Sequence, residues 1–529
     1  MNVNDLYLYR MAFILFGAGL VSFGLIFSRR RDGSRSIAWW ALSGFLCLNI
    51  GFVIYLWFNH IQFPLNLDLM EGTILQEFQR AASFQAIYPA PTPGYIPLAY
   101  NPLYYFLAVP FSWIFGVNLF TLRFAAILGM MGSGVILYLV VRKKTNSIWW
   151  GFAAVGLFAG AYRVMDAYLD SAHSDSWLLF SALLGSYLID RNKSRASSLI
   201  GVLVLVSAFW FKQHGALFAI GGLLYLTRRD GIKGSMVYWL TAIVAGPILY
   251  IFAGPTLFGP FFHYFTWEVP RRWSSFGLHT LRRYFGFIAL SYPILALSGG
   301  LTVLGKFVKD TKKLSIWDVQ FVFALLSGFM GSLDADSSHN IYIPMGMWFI
   351  LLGSIGLWEF SRKRETLKRF EVHIFALFVS LAFFIYNPTT VIVSPRADAA
   401  YSEFVGVLKG LNGPVYAPSL GQLQKGYAFY PAAHWAALED MIRGPGLDTR
   451  NHPNTRRFLD PVINPGGPAY IFANYPLEKY QFLAFLEEYY VLAEDFGDRF
   501  KALRVLPKRW DHGWPRYLYR HRGSETSAE

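Results

Sequence analysis

Two carboxylates stand three residues apart, shortly after a long apolar run. Asp68 and Glu71 lie in the segment NLDLMEGTILQEF, where the sequence predicts that a helix begins. A spacing of three residues places two side chains on one side of a helical turn. Such a pair could take a proton from a hydroxyl group, or hold a cation that neutralises a leaving phosphate. Capping of the helix start by the same acidic side chains is an equally weighted alternative.

A second acidic group follows in the segment RVMDAYLDSAHSDSW. It contains Asp166, Asp170, His173 and Asp175. A histidine among several aspartates is a ligand set that suits a metal ion. A solvated loop that ends in a helix cap at Ser174 or Asp175 explains the same residues, so both interpretations stay open.

Three polar residues, Lys212, Gln213 and His214, interrupt two apolar runs. An ionisable residue at the edge of a membrane segment is a candidate for function, here as a ligand of a donor phosphate. The alternative is a lysine that extends its amine harmlessly into water.

Two arginine pairs, Arg271–Arg272 and Arg282–Arg283, follow the apolar run that ends near residue 253. Guanidinium groups match the geometry of a phosphate, so these pairs could bind an anionic lipid. Attraction to ordinary lipid headgroups is the alternative of similar weight.

The segment GSLDADSSHNIYIP carries a last polar group, with two aspartates followed by His339 and Asn340. A D-x-D pair invites a metal-binding interpretation, but short pairs of this kind are common. A pocket role and a simple turn with a helix cap have about equal weight.

The composition indicates the scaffold that must position these residues. Of 529 residues, 54% are hydrophobic and 15% are charged, whereas soluble domains carry about 25% charged residues. We therefore expect an all-α polytopic membrane protein with about twelve spanning helices. The predicted spans are 10–28, 36–58, 119–141, 148–163, 176–190, 196–211, 215–227, 236–253, 283–305, 317–333, 341–358 and 371–386. A shorter apolar run, 102–115, is predicted to lie in the membrane interface.

Six clusters of Lys and Arg separate these runs and fall on one side of the predicted topology. The positive-inside rule makes that side cytoplasmic. Both termini and the loop 59–118 then lie on the outer face of a prokaryotic plasma membrane. The net charge of +14 arises from these clusters, so it indicates topology and membrane lipids rather than a nucleic-acid partner. A single cysteine excludes an intrachain disulfide framework.

The composition changes after residue 386. We expect a transmembrane domain over 1–386 and a soluble extracytoplasmic α/β domain over 387–529. Short apolar runs predict strands at 389–394, 414–418, 469–475 and 516–520, and helices at 399–411 and 477–490.

The motifs taken together resemble a known family. An acidic pair after a spanning helix, followed by QEFQRAASFQAIYP, YNPLYYFL and FGVNLFTLRFAAIL, resembles membrane glycosyltransferases of the C-type (GT-C) superfold. The most similar are family 39-like enzymes, which include protein O-mannosyltransferases and the lipid A aminoarabinose transferase. The resemblance covers roughly 53–386. Here the acidic residues stand three apart where the family has an adjacent pair, and one helix precedes the family's usual first helix.

The resemblance implies transfer of a sugar from a polyprenyl-phosphate donor to a hydroxyl of a lipid, glycan or protein, with inversion. Asp68 matches the place of the catalytic carboxylate, and Glu71 would be accessory. The resemblance favours Asp170 and Asp175 over Asp166. The substrate-binding residues expected are Tyr100, Asn101, Asp170, Asp175, Lys212, Gln213, Arg271, Arg272, His339 and Asn340. The sequence establishes no cofactor; a divalent cation, Mg²⁺ or Mn²⁺ on Asp68 and Glu71, is an open alternative.

Two other functions fit a polytopic chain. A transporter or flippase of lipid-linked substrates would carry charges deep within its helices, broken helices at the midplane and an inverted repeat. The sequence shows no internal repeat and few midplane charges. A non-enzymatic scaffold for envelope assembly would survive loss of Asp68.

Overall fold

The computed structural model describes residues 3–27, 36–191, 194–363, 371–420, 434–443, 453–464, 466–480, 483–506 and 513–525. Helices dominate the part before residue 383. They are α1 Val3–Phe27, α2 Ile37–Ile61, α3 Glu71–Ala82, α4 Leu103–Phe115, α5 Leu119–Thr145, α6 Ile148–Gly160, α7 Asp175–Arg191, α8 Arg195–Phe211, α9 Ala216–Ile243, α10 Gly254–Phe258, α11 Val269–Trp273, α12 Leu278–Ser291, α13 Pro293–Lys309, α14 Ile316–Ser332, α15 Ile343–Lys363 and α16 Val372–Ala382. Two π-helical segments, Val244–Ala253 and Tyr264–Glu268, lie between α9 and α11.

Within the described ranges, five helical segments are long and apolar enough to cross a membrane, or six when a bent pair is counted as one span. Five further apolar helices are shorter, at 10–17 residues. The chain is therefore a multi-pass membrane protein, and the predicted number of about twelve spans stays a prediction. In the most apolar part of the segment His339–Arg362, 94% of the residues are buried, whereas the corresponding share in α1 is 11%. The helix α15 thus forms the centre of the bundle, and α1 lies at its lipid-facing edge.

Three predicted spans differ in the structure. The single span expected at 283–305 is the pair α12 and α13, bent by 100° at Tyr292. Pro293 causes the break, because proline lacks an amide hydrogen and disfavours helical geometry in the preceding residue. The separate helices expected at 215–227 and 236–253 are joined through α9, which kinks at Gly231 with φ 74° and continues into a π-helix. Glycine adopts this positive φ without a steric penalty.

The loop between α2 and α5, which is predicted to lie on the outer face, is mostly buried. Its first helix, α3, begins at Glu71 as the sequence predicts, and nine of its twelve residues are buried. An irregular proline-rich segment leads to α4, which ends at Gly116. A loop with this little exposed surface is a packed part of the protein, so its polar side chains must find partners inside it.

The part of the chain predicted to form the outer domain contains, among its described residues, a four-stranded sheet, three α-helices and several short 3-10 turns. The strands are β1 Val415–Tyr416, β2 Tyr470–Ala473, β3 Tyr490–Asp495 and β4 Tyr517–His521, in the order β1-β2-β4-β3. The pair β1–β2 is parallel and the other two pairs are antiparallel. The helices are α17 Ala397–Lys409, α18 Trp435–Ile442 and α19 Pro453–Ile463, after a 3-10 turn at Pro388–Thr390. Phe404 of α17 packs edge-on against Phe472 of β2, with ring centroids 5.0 Å apart.

Three of the four predicted strands are confirmed, and the strand expected at 389–394 is wrong. The Asn59 side chain binds the N–H and C=O of Val393 at 2.8 and 3.2 Å, and His60 Nε2 lies 2.6 Å from the C=O of Val391. Side chains at the end of α2 therefore take the backbone groups that a strand partner would need. The helix expected at 477–490 is also wrong: its described residues form 3-10 turns at Leu477–Lys479 and Ala484–Glu488, and β3 begins at Tyr490.

Candidate active site

Glu71 is fully buried and anchors the outer loop to α5. Its carboxylate pairs with Arg123, at 2.6 Å to Nη2 and 3.1 Å to Nε. It also accepts hydrogen bonds from the backbone N–H of Leu67 and of Ala172, both at 2.7 Å. These four bonds occupy the four lone-pair positions of a carboxylate. The structure thus places Glu71 in an anchoring position, and its expected roles as an accessory group and as a cation ligand stay predictions.

Arg123 completes the anchor. Its remaining N–H groups donate to the carbonyls of His60 at 3.1 Å, Phe63 at 2.5 Å and Leu65 at 2.5 Å. All five donors of the guanidinium are used, and they fix the chain just before Asp68. Arg123 was not predicted from the sequence, although a single arginine in the apolar run FTLRFAAIL indicates a functional or structural role.

Asp68 lies in a different environment from Glu71. It is buried, and its Oδ1 accepts a hydrogen bond from the Tyr168 hydroxyl at 2.8 Å. Its Oδ2 accepts from the backbone N–H of Met70 at 3.1 Å. Each oxygen keeps one further lone pair, so Asp68 could still accept a proton or another hydrogen bond.

A charged cluster around Asp175 lies next to Asp68. Both Asp175 oxygens contact Lys212 Nζ, at 2.9 and 3.1 Å, and Oδ2 accepts from Asn340 Nδ2 at 3.0 Å. His173 Nδ1 also pairs with this carboxylate. Lys212 Nζ lies 5.4 Å from the centre of the Tyr100 ring, within the range of a cation–π contact. The structure therefore brings together four predicted residues that are far apart in the sequence.

Aromatic rings connect Asp68 to this cluster. The His173 ring lies 5.4 Å from the ring of Tyr168, whose hydroxyl binds Asp68. The His173 ring also lies 5.0 Å from the Tyr100 ring, in a T-shaped arrangement. Burial raises the pKa of Tyr100 well above its usual range, and the carboxylates of Asp440, Asp175 and Asp68 raise it further. The Tyr100 hydroxyl is therefore protonated at neutral pH and available as a donor.

Two predicted residues position the Tyr100 segment. Gln213 Nε2 donates to the Ala99 carbonyl at 2.7 Å, and Asn101 Nδ2 donates to the Phe209 carbonyl at 2.5 Å. The two bonds join the segment 99–101 to Phe209, near the end of α8, and to Gln213, which follows Lys212. Gln213 and Asn101 thus hold this wall of the site.

Several buried polar atoms at the site lack a hydrogen-bond partner among the described residues. They are Asn101 Oδ1, Ser174 Oγ and His214 Nε2. Each belongs to a residue adjacent in sequence to Tyr100, Asp175 or to the Lys212–Gln213 pair. Burial of a polar atom without a partner is costly, so the site is suited to a polar ligand or to water.

The other predicted aspartate, Asp170, lies in a separate buried group. Its oxygens are 2.8 Å from His60 Nδ1 and 2.7 Å from the Tyr162 hydroxyl. Asp166 in turn pairs with Arg163 at 2.7 Å and accepts from the backbone N–H of His339 at 2.7 Å. The acidic loop is therefore tied to α2 on one side and to the turn before α15 on the other.

Arg271 and Arg272 lie on α11 and are exposed. The Arg272 guanidinium lies 5.3 Å from the centre of the Tyr264 ring. Neither side chain contacts the Asp175 cluster in the described part of the chain. Their expected role toward a phosphate stays a prediction, as do the roles of the other site residues.

Arg443, which was not predicted from the sequence, holds the helix α18 of the predicted outer domain beside the site. Arg443 pairs with Asp334 at 3.1 Å, with Asp336 at 3.4 Å and with Asp440 at 3.1 Å. Its guanidinium lies 4.1 Å from the centre of the Trp273 ring, and Trp273 Nε1 donates to the Asp440 carbonyl at 2.9 Å. The D-x-D pair thus binds a guanidinium. Among the described residues, no group of three or more His, Cys, Asp or Glu is arranged to hold a metal ion.

The fold is that of the C-type membrane glycosyltransferases, which confirms the resemblance at the level of fold. Among solved structures, ArnT from Cupriavidus metallidurans bound to undecaprenyl phosphate is similar, with a TM-score of 0.52 and 13% identity over 90% of this chain and 98% of that chain. An oligosaccharyltransferase from Archaeoglobus fulgidus, in complex with zinc and sulfate, has a TM-score of 0.46 and 11% identity over 86% and 72%. No protein-family model and no curated protein matches the sequence.

The anchor makes a prediction about stability. Arg123→Met leaves the buried Glu71 carboxylate without its counter-ion, so we expect a loss of about 3–5 kcal/mol. Unfolding of the full-length protein in detergent, by denaturant titration or melting temperature, measures the change. Arg142→Met, an exposed position on the same helix, is the control and should change stability by less than about 0.5 kcal/mol. Equal stability of the two variants would contradict the anchoring role.

A second prediction concerns pH and α18. Burial and the neighbouring Asp440 raise the pKa of Glu439 to about 7, and burial raises the pKa of Asp440 to about 6. An acid whose pKa is raised in the folded state stabilises that state when protonated. The contribution is complete below the unfolded pKa of about 4.5 and is lost as the pH rises through about 7.

We therefore expect the melting temperature of the parent protein to fall as the pH rises from about 5 to 8, and that of Glu439→Gln to fall less. Glu403→Gln, at an exposed ion pair with Arg499 in the same domain, should follow the parent curve. Parallel curves for the parent and Glu439→Gln would show that Glu439 does not titrate in this range.

Proposed function

We propose that the protein transfers a sugar from a polyprenyl-phosphate donor to a hydroxyl acceptor at the outer face of the membrane. The observation that carries the proposal is the carboxylate of Asp68, held by Tyr168 beside the Lys212–Asp175 pair. The shared fold supports it, since the similar ArnT structure contains undecaprenyl phosphate. A lipid-linked donor requires a polar site at membrane depth, where irregular backbone is tolerated only inside a protein cavity.

In the proposed reaction, Asp68 takes the proton of the acceptor hydroxyl as that oxygen attacks the anomeric carbon of the sugar. The bond between the anomeric carbon and the phosphate oxygen breaks, and polyprenyl phosphate leaves with the electron pair. A single displacement of this kind inverts the anomeric carbon. Tyr168 keeps the Asp68 oxygen oriented during proton transfer, since its hydroxyl donates to the carboxylate.

Lys212 is the proposed partner of the donor phosphate. Asp175 orients its ammonium group and also neutralises it in part, so the phosphate would share the charge with that carboxylate. The hydroxyl of Tyr100 and the amide of Asn340 supply further polar contacts. Arg271 and Arg272, exposed on α11, would attract the anionic lipid at the boundary of the site.

Asp68→Asn tests the proposed base. The amide cannot accept the proton, so we expect turnover to fall by about 10²- to 10⁴-fold, while the melting temperature changes little. The assay uses the full-length protein in proteoliposomes with a panel of polyprenyl-phosphate sugars and follows the release of polyprenyl phosphate. Asp398→Asn, an exposed carboxylate at the start of α17, is the control and should keep the parent rate. Undiminished turnover in Asp68→Asn would rule out this base.

A further inference from the structure

A cavity lies between the first helix and the predicted outer domain. Its volume is about 880 Å³. The walls are formed by the start of α1, the turn after α6, the residues that follow α16, and the outer-domain segment 501–506. The residues described around Asp68 and Asp175 do not line this cavity. The turn at His339 borders both the cavity and the Asp68 site.

The cavity is strongly basic. Its wall carries four basic side chains and one carboxylate among the described residues: Arg10, Arg163, Lys501, Arg504 and Asp166. Asp166 pairs with Arg163 at 2.7 Å, and Lys501 pairs with Asp498 outside the wall at 2.7 Å. The wall thus carries more basic than acidic side chains, so the cavity favours an anion.

Arg10 is the most informative of these groups. It interrupts the apolar helix α1, is half-buried, and donates from Nη2 to the Phe383 carbonyl at 3.0 Å. Its Nε is buried and has no hydrogen-bond partner, and no carboxylate in the described part of the chain lies within ion-pair distance. A guanidinium in a membrane helix is costly unless an anion compensates it, so Arg10 is suited to an anionic ligand.

The position of Arg10 indicates the kind of anion. Its neighbours Tyr7 and Tyr9 are each 55% exposed, and tyrosines at this exposure are typical of the headgroup level of a bilayer. The apolar window of α1 is only 11% buried, so the helix faces lipid. The cavity wall also includes apolar side chains, among them Leu6 and Phe384. An anion joined to an apolar chain fits both kinds of wall.

The cavity is separate from the proposed donor site. The backbone of His339 binds Asp166 on the cavity side, and the side chain of the next residue, Asn340, binds Asp175 on the other side. This turn therefore stands between the two polar regions, so a ligand in the cavity would not contact the Asp175 carboxylate.

We propose that this cavity binds the phosphate headgroup of an anionic lipid that enters from the bilayer beside α1. Guanidinium groups bind phosphate oxygens in a bidentate manner, and Arg10 and Arg504 both line the cavity. The lipid chain lies along the apolar part of the wall and leaves toward the membrane. The inference goes beyond the proposed transfer reaction and does not depend on it.

Binding of phosphatidylglycerol to the full-length protein in detergent, followed by native mass spectrometry, tests the proposal. We expect the protein to retain phosphatidylglycerol in preference to phosphatidylcholine, and inorganic phosphate not to displace it. Arg10→Gln should weaken retention about tenfold, through loss of a charge-assisted hydrogen bond. Arg504→Gln should act in the same direction. Arg142→Gln, exposed at the far end of α5, should bind as the parent does.

Two results would overturn the proposal. Equal retention by the parent, Arg10→Gln and Arg504→Gln would show that the lipid binds elsewhere. Displacement by inorganic phosphate at equal concentration would show a site for a soluble anion. If Arg10→Gln has a lowered melting temperature, Arg10→Lys replaces it in the comparison. Because lysine keeps the positive charge, Arg10→Lys should retain more lipid than Arg504→Gln. Since the assay measures binding alone, failure of sugar transfer would not alter its outcome.

Discussion

The buried ion pair between Glu71 and Arg123 is the constraint on which the site depends. A charge without a partner at this depth would cost several kcal/mol, so each of the two residues requires the other. Arg123 is held by α5, and through it the carbonyls before Asp68 are fixed relative to the bundle. Glu71 extends the same restraint to the acidic loop through the N–H of Ala172. The chain on both sides of Asp68, including the loop that supplies Tyr168, is thereby set by one pair.

The same requirement for partners separates the acidic residues that stabilise the fold from those that could react with a substrate. Glu71 is filled with four partners that belong to the fold, so it contributes position. Each oxygen of Asp68 keeps a further lone pair, and Ser174 Oγ, next to Asp175 in the sequence, is buried without a hydrogen-bond partner among the described residues. Polar groups kept incompletely satisfied are unfavourable for folding and are tolerated at sites that bind a ligand. The contrast between Glu71 and Asp68, three residues apart, is therefore one of saturation rather than of residue type.

Much of the scaffold followed from apolar runs and basic clusters, because long apolar helices leave a strong signal in sequence. The start of α3 at Glu71 and the strands around Val415, Tyr470 and Tyr517 were predicted as well. The strand expected at 389–394 failed, because Asn59 and His60 take its backbone groups, a long-range contact that no local pattern contains. The break at Tyr292 had a signal in the following proline.

The site was predictable residue by residue, but its pairings were not. Lys212 and Asp175 were each singled out as polar interruptions, yet their contact requires α7 and α8 to pack side by side. Arg443 had no signal at all, since an arginine in a soluble domain is ordinary until its carboxylates appear in another domain. The outer domain therefore takes part in the site through a contact between charges that lie about a hundred residues apart, at Asp334 and Arg443. A domain joined in this way must be considered with the membrane bundle, because Asp440 of its helix α18 lies near enough to Tyr100 to raise the pKa of that hydroxyl.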